Sequence, residues 1–248
     1  MQEQHHSISL PDGASDAYLY STPGERHPGV IFLTDIGGIR EAELTKARRV
    51  AEQGFSVLVP NIFYRTAKPP VMPYPADFGS DVVQKRMQEL RGPLTPEAIT
   101  RDANGYVDFL AAQLPVSDGA FGVVGYCFSG AMAMRIASER PDKIGAMALF
   151  HAARLYLEND PNSPHLLLPK IKARLYFGHA VQDKGMPAEA IAKFEDALRK
   201  WDGQFESETY EGAYHSWTTL DSPVYNQPQA ERAFGKLMGL FSQSLKSR

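Results

Sequence analysis

Cys127, Asp183 and His215 are the residues of this chain whose types and order can support covalent acyl chemistry. Cys127 is the sole cysteine and stands in Gly125-Tyr126-Cys127-Phe128-Ser129-Gly130. An apolar run over 119–124 precedes it and a helix-like run over 131–139 follows. Strand, tight turn and helix around a nucleophile form a nucleophile elbow, in which small flanking residues let the backbone turn sharply enough to expose the side chain at the top of a sheet. Here the small residues are Gly125 and Ser129, two before and two after the sulfur. Asp183 follows one predicted strand, in Gly178-His179-Ala180-Val181-Gln182-Asp183, and His215 follows another, in Gly212-Ala213-Tyr214-His215-Ser216. A free thiol, with a pKa of about 8.5, is only slightly ionised at neutral pH. An imidazole can accept its proton and later return it to a leaving group. A carboxylate behind the ring fixes its tautomer and stabilises the imidazolium. The helix opening after Cys127 points its positive end at the sulfur. Two backbone amides are expected to hold an oxyanion: Phe128, next after the nucleophile, and Ile36, in the loop after an early strand.

Each of these residues also has a plainer reading. Cys127 can be a buried structural thiol, Asp183 a helix cap ahead of Pro187, and His215 a loop histidine packed beside Trp217. The order nucleophile, acid, histidine favours the chemical reading, because it is the order found in α/β-hydrolases.

The elements that must position these groups alternate along the chain. Strands are predicted over 16–21, 30–34, 55–59, 119–124, 144–150, 174–178 and 204–210. Helices are predicted over 41–53, 99–112, 129–139, 187–201 and 227–245. Repeated βα units imply an α/β fold, here an α/β-hydrolase fold with a mostly parallel central sheet flanked by helices on both faces. In such a sheet the loops at the carboxyl ends of the strands gather along one edge, so residues far apart in sequence can meet there. The 248 residues are read as one α/β domain over 1–248. Residues 66–96 carry six prolines, at 69, 70, 73, 75, 93 and 96, around a short helical candidate over 81–90. So many prolines break any long element. The segment is read as an excursion over one edge of the core, either a cap near the site or a surface insertion without a role.

Composition narrows the partners. The net charge of −3 leaves no basic surplus for a nucleic-acid backbone or an anionic membrane. No apolar run approaches the roughly 20 residues that span a bilayer. One cysteine allows neither an internal disulfide nor a CxxC metal site, and a free thiol suits a reducing compartment. The polar first ten residues lack the apolar core of a secretory leader, so a cytoplasmic location is expected. That terminus, including His5-His6, is read as frayed. Gly37-Gly38 is too short to be a phosphate fingerprint.

Three segments carry a specific resemblance: Gly125-Tyr126-Cys127-Phe128-Ser129-Gly130, Asp183-Lys184-Gly185-Met186-Pro187 and Gly212-Ala213-Tyr214-His215-Ser216-Trp217. They resemble the signature segments of the dienelactone hydrolase family. The likeness runs from about Val30 to the C-terminus and includes Pro60-Asn61-Ile62-Phe63-Tyr64-Arg65. It implies a Cys-His-Asp triad that opens a small enol lactone or ester, with no metal and no organic cofactor. It also implies Asp35 as a thiol partner, in the place where the family commonly has a glutamate. Arg65 matches the first of two carboxylate-binding arginines, and with Tyr64 is the candidate substrate-binding pair. Where the second arginine would fall, this chain reads Trp217-Thr218-Thr219-Leu220, so anion recognition is expected to be weaker or supplied elsewhere. The expected partner is a small-molecule lactone or ester, with no nucleic acid and no membrane, and the chain is expected to be a monomer or homodimer. The rival readings are an esterase or thioesterase for a different acyl substrate, a catalytically silent ligand-binding member of the fold, and more distantly a redox sensor. His151 and His179, also near strand ends, are read as wall or core histidines rather than bases.

Overall fold

Residues 1–245 are described by the computed structural model. Strands β1 (Gln2–Leu10) and β2 (Gly13–Ser21) open the chain, followed by β3 (Gly29–Leu33), helix α1 (Glu41–Ala51) and β4 (Ser56–Pro60). Helices α2 (Asp81–Arg91) and α3 (Pro96–Ala111) precede β5 (Phe121–Tyr126), α4 (Ser129–Glu139) and β6 (Ile144–Phe150). A 3₁₀ segment, Pro164–Lys170, leads to β7 (Arg174–Ala180), α5 (Ala188–Trp201), β8 (Phe205–Tyr210) and α6 (Gln227–Leu245).

The strands form one eight-stranded sheet in the order β1-β2-β4-β3-β5-β6-β7-β8. Pairing is antiparallel for β1 with β2 and β2 with β4, and parallel from β4 to β8. The parallel strands are buried on both faces, so they read as continuous apolar runs. Alternation then decides the side: Val30 and Phe32 of β3 pack under α1 and α6, whereas Ile31 and Leu33 pack toward α3 and α4. This is the expected α/β-hydrolase architecture. The chain winds outward from β3 to β4 on one side and resumes at β5 on the other. That reversal leaves a crevice beyond the carboxyl ends of β3 and β5, where ligands of open α/β sheets bind.

Two local expectations are corrected. The N-terminus is not frayed: residues 2–10 pair residue for residue with β2. Only Ile8 and Leu10 of β1 are buried, so the strand looks polar because it is a solvated edge. Helix α3 starts at Pro96 rather than at 99, because the Thr95 hydroxyl accepts the Ala98 N–H at 3.3 Å and Pro96 occupies the first turn. The Ser80 hydroxyl likewise caps α2 by accepting the Val83 N–H.

Candidate active site

The turn after β5 holds Cys127 in the left-handed region, at φ 57°. A non-glycine residue is strained there and persists only where its surroundings hold it. The Cys127 N–H donates to the Phe150 carbonyl at 3.2 Å, and the Cys127 carbonyl accepts the Ala153 N–H at 3.1 Å. The turn is thus pinned to the end of β6. Packing requires the small residues around it. A Cβ on Gly130 would lie 2.5 Å from the Ala152 Cβ, and one on Gly125 would crowd the Ser129 carbonyl at 3.1 Å. Ser129 is fully buried. Its hydroxyl accepts the Tyr126 N–H at 3.0 Å and lies within donor reach of the Tyr126 and Leu33 carbonyls, at 2.9 and 3.3 Å.

The loops after β7 and β8 bring the other two groups to this turn. His215 Nε2 lies 3.1 Å from the Cys127 Sγ, and His215 Nδ1 lies 2.6 Å from Asp183 Oδ2. The second carboxylate oxygen of Asp183 accepts the Gly185 N–H at 2.7 Å, which sets the plane of the carboxylate. Burial disfavours a charged His215 ring. The hydrogen bonds and charges of Asp183 and Cys127 outweigh that cost and push the ring up to about 10. The ring thus lies within proton-transfer reach of the sulfur, while the carboxylate fixes its orientation.

Ile36 and Phe128 line the same cavity as Cys127. Among the described residues, neither backbone N–H donates to another group of the protein. Two uncommitted donors beside a nucleophile can stabilise a developing oxyanion.

Three candidates lie elsewhere than expected. Asp35 lines a cavity with Cys127, but its carboxylate is taken by Arg40. Oδ1 accepts Arg40 Nη1 at 2.6 Å and the Gly37 N–H at 2.8 Å, and Oδ2 accepts Arg40 Nη2 at 2.9 Å. The structure makes Asp35 the partner of Arg40, not of the thiol. Arg40 in turn donates to Asp221 at 2.8 Å and covers the Tyr74 ring at 4.0 Å. Arg65 and Tyr64 line neither cavity beside Cys127. The Arg65 guanidinium donates to Asp102 at 2.7 Å and to Asp12 at 2.7 Å, and the Tyr64 hydroxyl donates to Asp102 at 2.8 Å. Carboxylates from α3 and the β1–β2 turn have already neutralised the arginine that the sequence offers for a substrate.

His151 is buried with Nε2 on the Thr218 hydroxyl at 2.8 Å, and its ring meets His215 edge-on at 5.2 Å. Burial, reinforced by the His215 charge, keeps its pKa well below the usual range, so it backs the His215 ring as a neutral core histidine, outside both cavities. His179 packs against Phe194 and lies 3.2 Å from the Ser207 hydroxyl, outside both cavities. Burial lowers it from 6.5 to about 4 against the opposing charges of Glu195 and Asp183. Between those two values the unfolded chain binds the proton and the folded chain does not, so stability falls as the pH falls through that window. Wild type is expected to lose on the order of 2 kcal/mol more than His179→Gln between about pH 7 and about pH 4. Urea unfolding at several pH values measures this, and parallel curves would remove His179 as the cause.

Cys127 sits between two cavities that share Ile36, Met87, Cys127 and Ala153. One, of about 610 Å³, holds Asp183, His215 and Asp35. The other, of about 420 Å³, is lined mainly by apolar side chains from α2, α4 and the segment before β7. Tyr74, Phe78, Met87 and Leu94, all from residues 66–96, line one or both. The proline-rich excursion therefore supplies walls on both sides of the sulfur. Tyr74, Phe78, Met87 and Leu94 were not singled out in the sequence, although the segment that carries them is read there as either a cap near the site or a surface insertion. Arg40 had one local signal, its place five residues after Asp35. Among the described residues no helix is long and apolar enough to cross a membrane.

Residues 15–245 match the model of the dienelactone hydrolase family. A carboxymethylenebutenolidase of Rhodococcus opacus is 26% identical over 193 residues, covering 76% of this chain and 69% of that protein. A dienelactone hydrolase-like promiscuous phosphotriesterase from metagenomic libraries superposes with a TM-score of 0.78 at 19% identity, covering 99% of this chain and 100% of the other. The dienelactone hydrolase of Anabaena variabilis superposes with a TM-score of 0.70 at 18% identity, covering 99% of each.

Proposed function

The chain belongs to the dienelactone hydrolase family and so to a family of hydrolases, and from that premise we propose that it cleaves a small carboxylic ester or lactone through an acyl-cysteine. The observation that carries this reading is a single ring: His215 reaches the Cys127 sulfur at 3.1 Å with one nitrogen and the Asp183 carboxylate at 2.6 Å with the other.

The chemistry follows from the placement of the groups. The Cys127 sulfur attacks the carbonyl carbon, and the carbonyl oxygen gathers negative charge between the Ile36 and Phe128 amides. His215 gives its Nε2 proton to the departing oxygen as the carbon–oxygen bond breaks. The product is an S-acyl cysteine and an alcohol, or in a lactone the enol end of the same molecule. His215 then takes a proton from water, whose oxygen attacks the thioester carbonyl. The carbon–sulfur bond breaks, the acid leaves and the sulfur regains its starting state. Residues 66–96 act as a cap that keeps both cavities shielded while the acyl group is attached.

A brief reaction with p-nitrophenyl acetate, quenched in acid, tests the covalent step. Intact-mass spectrometry is expected to find one added acetyl group, and peptide mapping to place it on Cys127. Steady turnover with no adduct on that peptide, together with turnover that survives iodoacetamide, would sink the covalent mechanism.

A further inference from the structure

The two cavities have unequal roles, because His215 must protonate the leaving group. The departing oxygen therefore faces the His215 side, and the acyl chain takes the cavity on the far side of the sulfur. That cavity has a graded lining. Phe128, Ala131, Met132 and Arg135 stand at one-turn spacing and form one stripe of the α4 end of the elbow. Met87, Arg91 and Leu94 form a second stripe at and beyond the end of α2. Met87 also lines the cavity on the His215 side, which puts it near the sulfur. Arg91 stands one turn beyond Met87, and Arg135 is six residues into α4, roughly 9 Å along its axis.

None of these arginines is held in an ion pair with a described residue, and the carboxylate whose charge interacts with Arg135 is Glu97, near the start of α3. Among the described residues, no aspartate or glutamate lies within ion-pair distance of Arg91, Arg135 or Arg154, all of which line this cavity. Asp160 is the one carboxylate in its lining, and it accepts the Asn162 N–H at 2.9 Å. Arg91 and Arg154 are exposed, whereas Arg135 is half-buried; the more deeply buried Arg40 and Arg65 each hold two aspartates. A concave, mainly apolar lining that also carries three arginines, the half-buried Arg135 among them, fits an amphipathic anion.

We propose that the acyl group of the substrate is a flexible apolar chain ending in a carboxylate, an ω-carboxyacyl ester, with Arg135 receiving the distal charge. This rests on the ester-cleavage reading and specifies its acyl side. No second arginine near His215 is needed, because the anion is recognised at the opposite end of the acyl chain.

The test compares three p-nitrophenyl esters, the acetate, the octanoate and the monoester of suberate, on wild type, Arg135→Gln and Arg135→Lys. In wild type, kcat/KM is expected to rise from acetate to octanoate and again to suberate. The suberyl-to-octanoyl preference is expected to fall about tenfold in Arg135→Gln, the worth of one charge-assisted hydrogen bond, and to survive largely in Arg135→Lys. In parallel, calorimetry on Cys127→Ala is expected to find suberate bound more tightly than octanoate. Ester turnover with no preference for suberate, or a preference that Arg135→Gln leaves intact, overturns the acyl-site assignment while hydrolysis stands. No turnover of any ester, with suberate still bound tightly in an Arg135-dependent way, upholds the site and ends the hydrolytic reading.

Discussion

Cys127→Ala is expected to lower kcat/KM toward an activated aryl ester by on the order of 10⁵-fold, without loss of the fold. In the proposed mechanism the sulfur is the atom that attacks, so its removal takes away the covalent route. What survives is the modest help of the Ile36 and Phe128 amides acting on water attack, which in comparable sites is far smaller than the whole effect. Alanine keeps a Cβ at φ 57° and adds no bulk to the turn, so circular dichroism and thermal unfolding should stay close to wild type. Kinetics at matched protein concentration measure the loss. A variant that keeps a tenth of wild-type activity would move the reaction away from Cys127.

His215→Gln is expected to cost about 10³- to 10⁵-fold in kcat, because one ring serves both proton transfers. Its proton affinity is the physical basis: Asp183 and the sulfur hold the ring protonated up to about 10 despite its burial. At neutral pH it is therefore charged beside the sulfur and ready to protonate a leaving group. Glutamine can occupy the space but cannot carry a proton from sulfur to leaving group. Alkylation of Cys127 by iodoacetamide at neutral pH should slow in the same variant, since the ring nitrogen 3.1 Å from the sulfur, which can take up its proton, is gone. The two lesions act on one machine, so the Cys127→Ala, His215→Gln double variant should be no slower than Cys127→Ala alone. A multiplicative loss in the double variant would mean that the two side chains work separately.

The grouping of Cys127, Asp183 and His215 was readable because each needs only local chemistry and a place in the winding. Each stands just past a strand end, and parallel strands deliver those ends to one rim. The parallel core strands were readable for a similar reason: burial on both faces writes them as unbroken apolar runs. Strand β1 was not readable, since seven of its nine residues are not buried and only Ile8 and Leu10 mark an inner face. Arg65 misled because a guanidinium in sequence does not reveal its neighbours. Asp12 and Asp102, which claim it, lie 53 and 37 residues away. Asp35 misled differently: the competitor, Arg40, was close in sequence, and only the turn through Gly37 folds it back onto the carboxylate. The acyl-side cavity left no linear trace at all. It forms where α2, α4 and the segment before β7 converge, and its stripes mean something only once they face one another.

The Ser129 hydroxyl links the backbone of the nucleophile turn to the last residue of β3, three positions before Ile36. The spacing between the attacking atom and one oxyanion donor is thereby written into the resting chain. In the proposed mechanism this tie would hold the two in register before substrate arrives, whichever acyl group it carries. Selectivity is then left to the cavity walls, which can diverge from one relative to the next while the reacting centre keeps its dimensions.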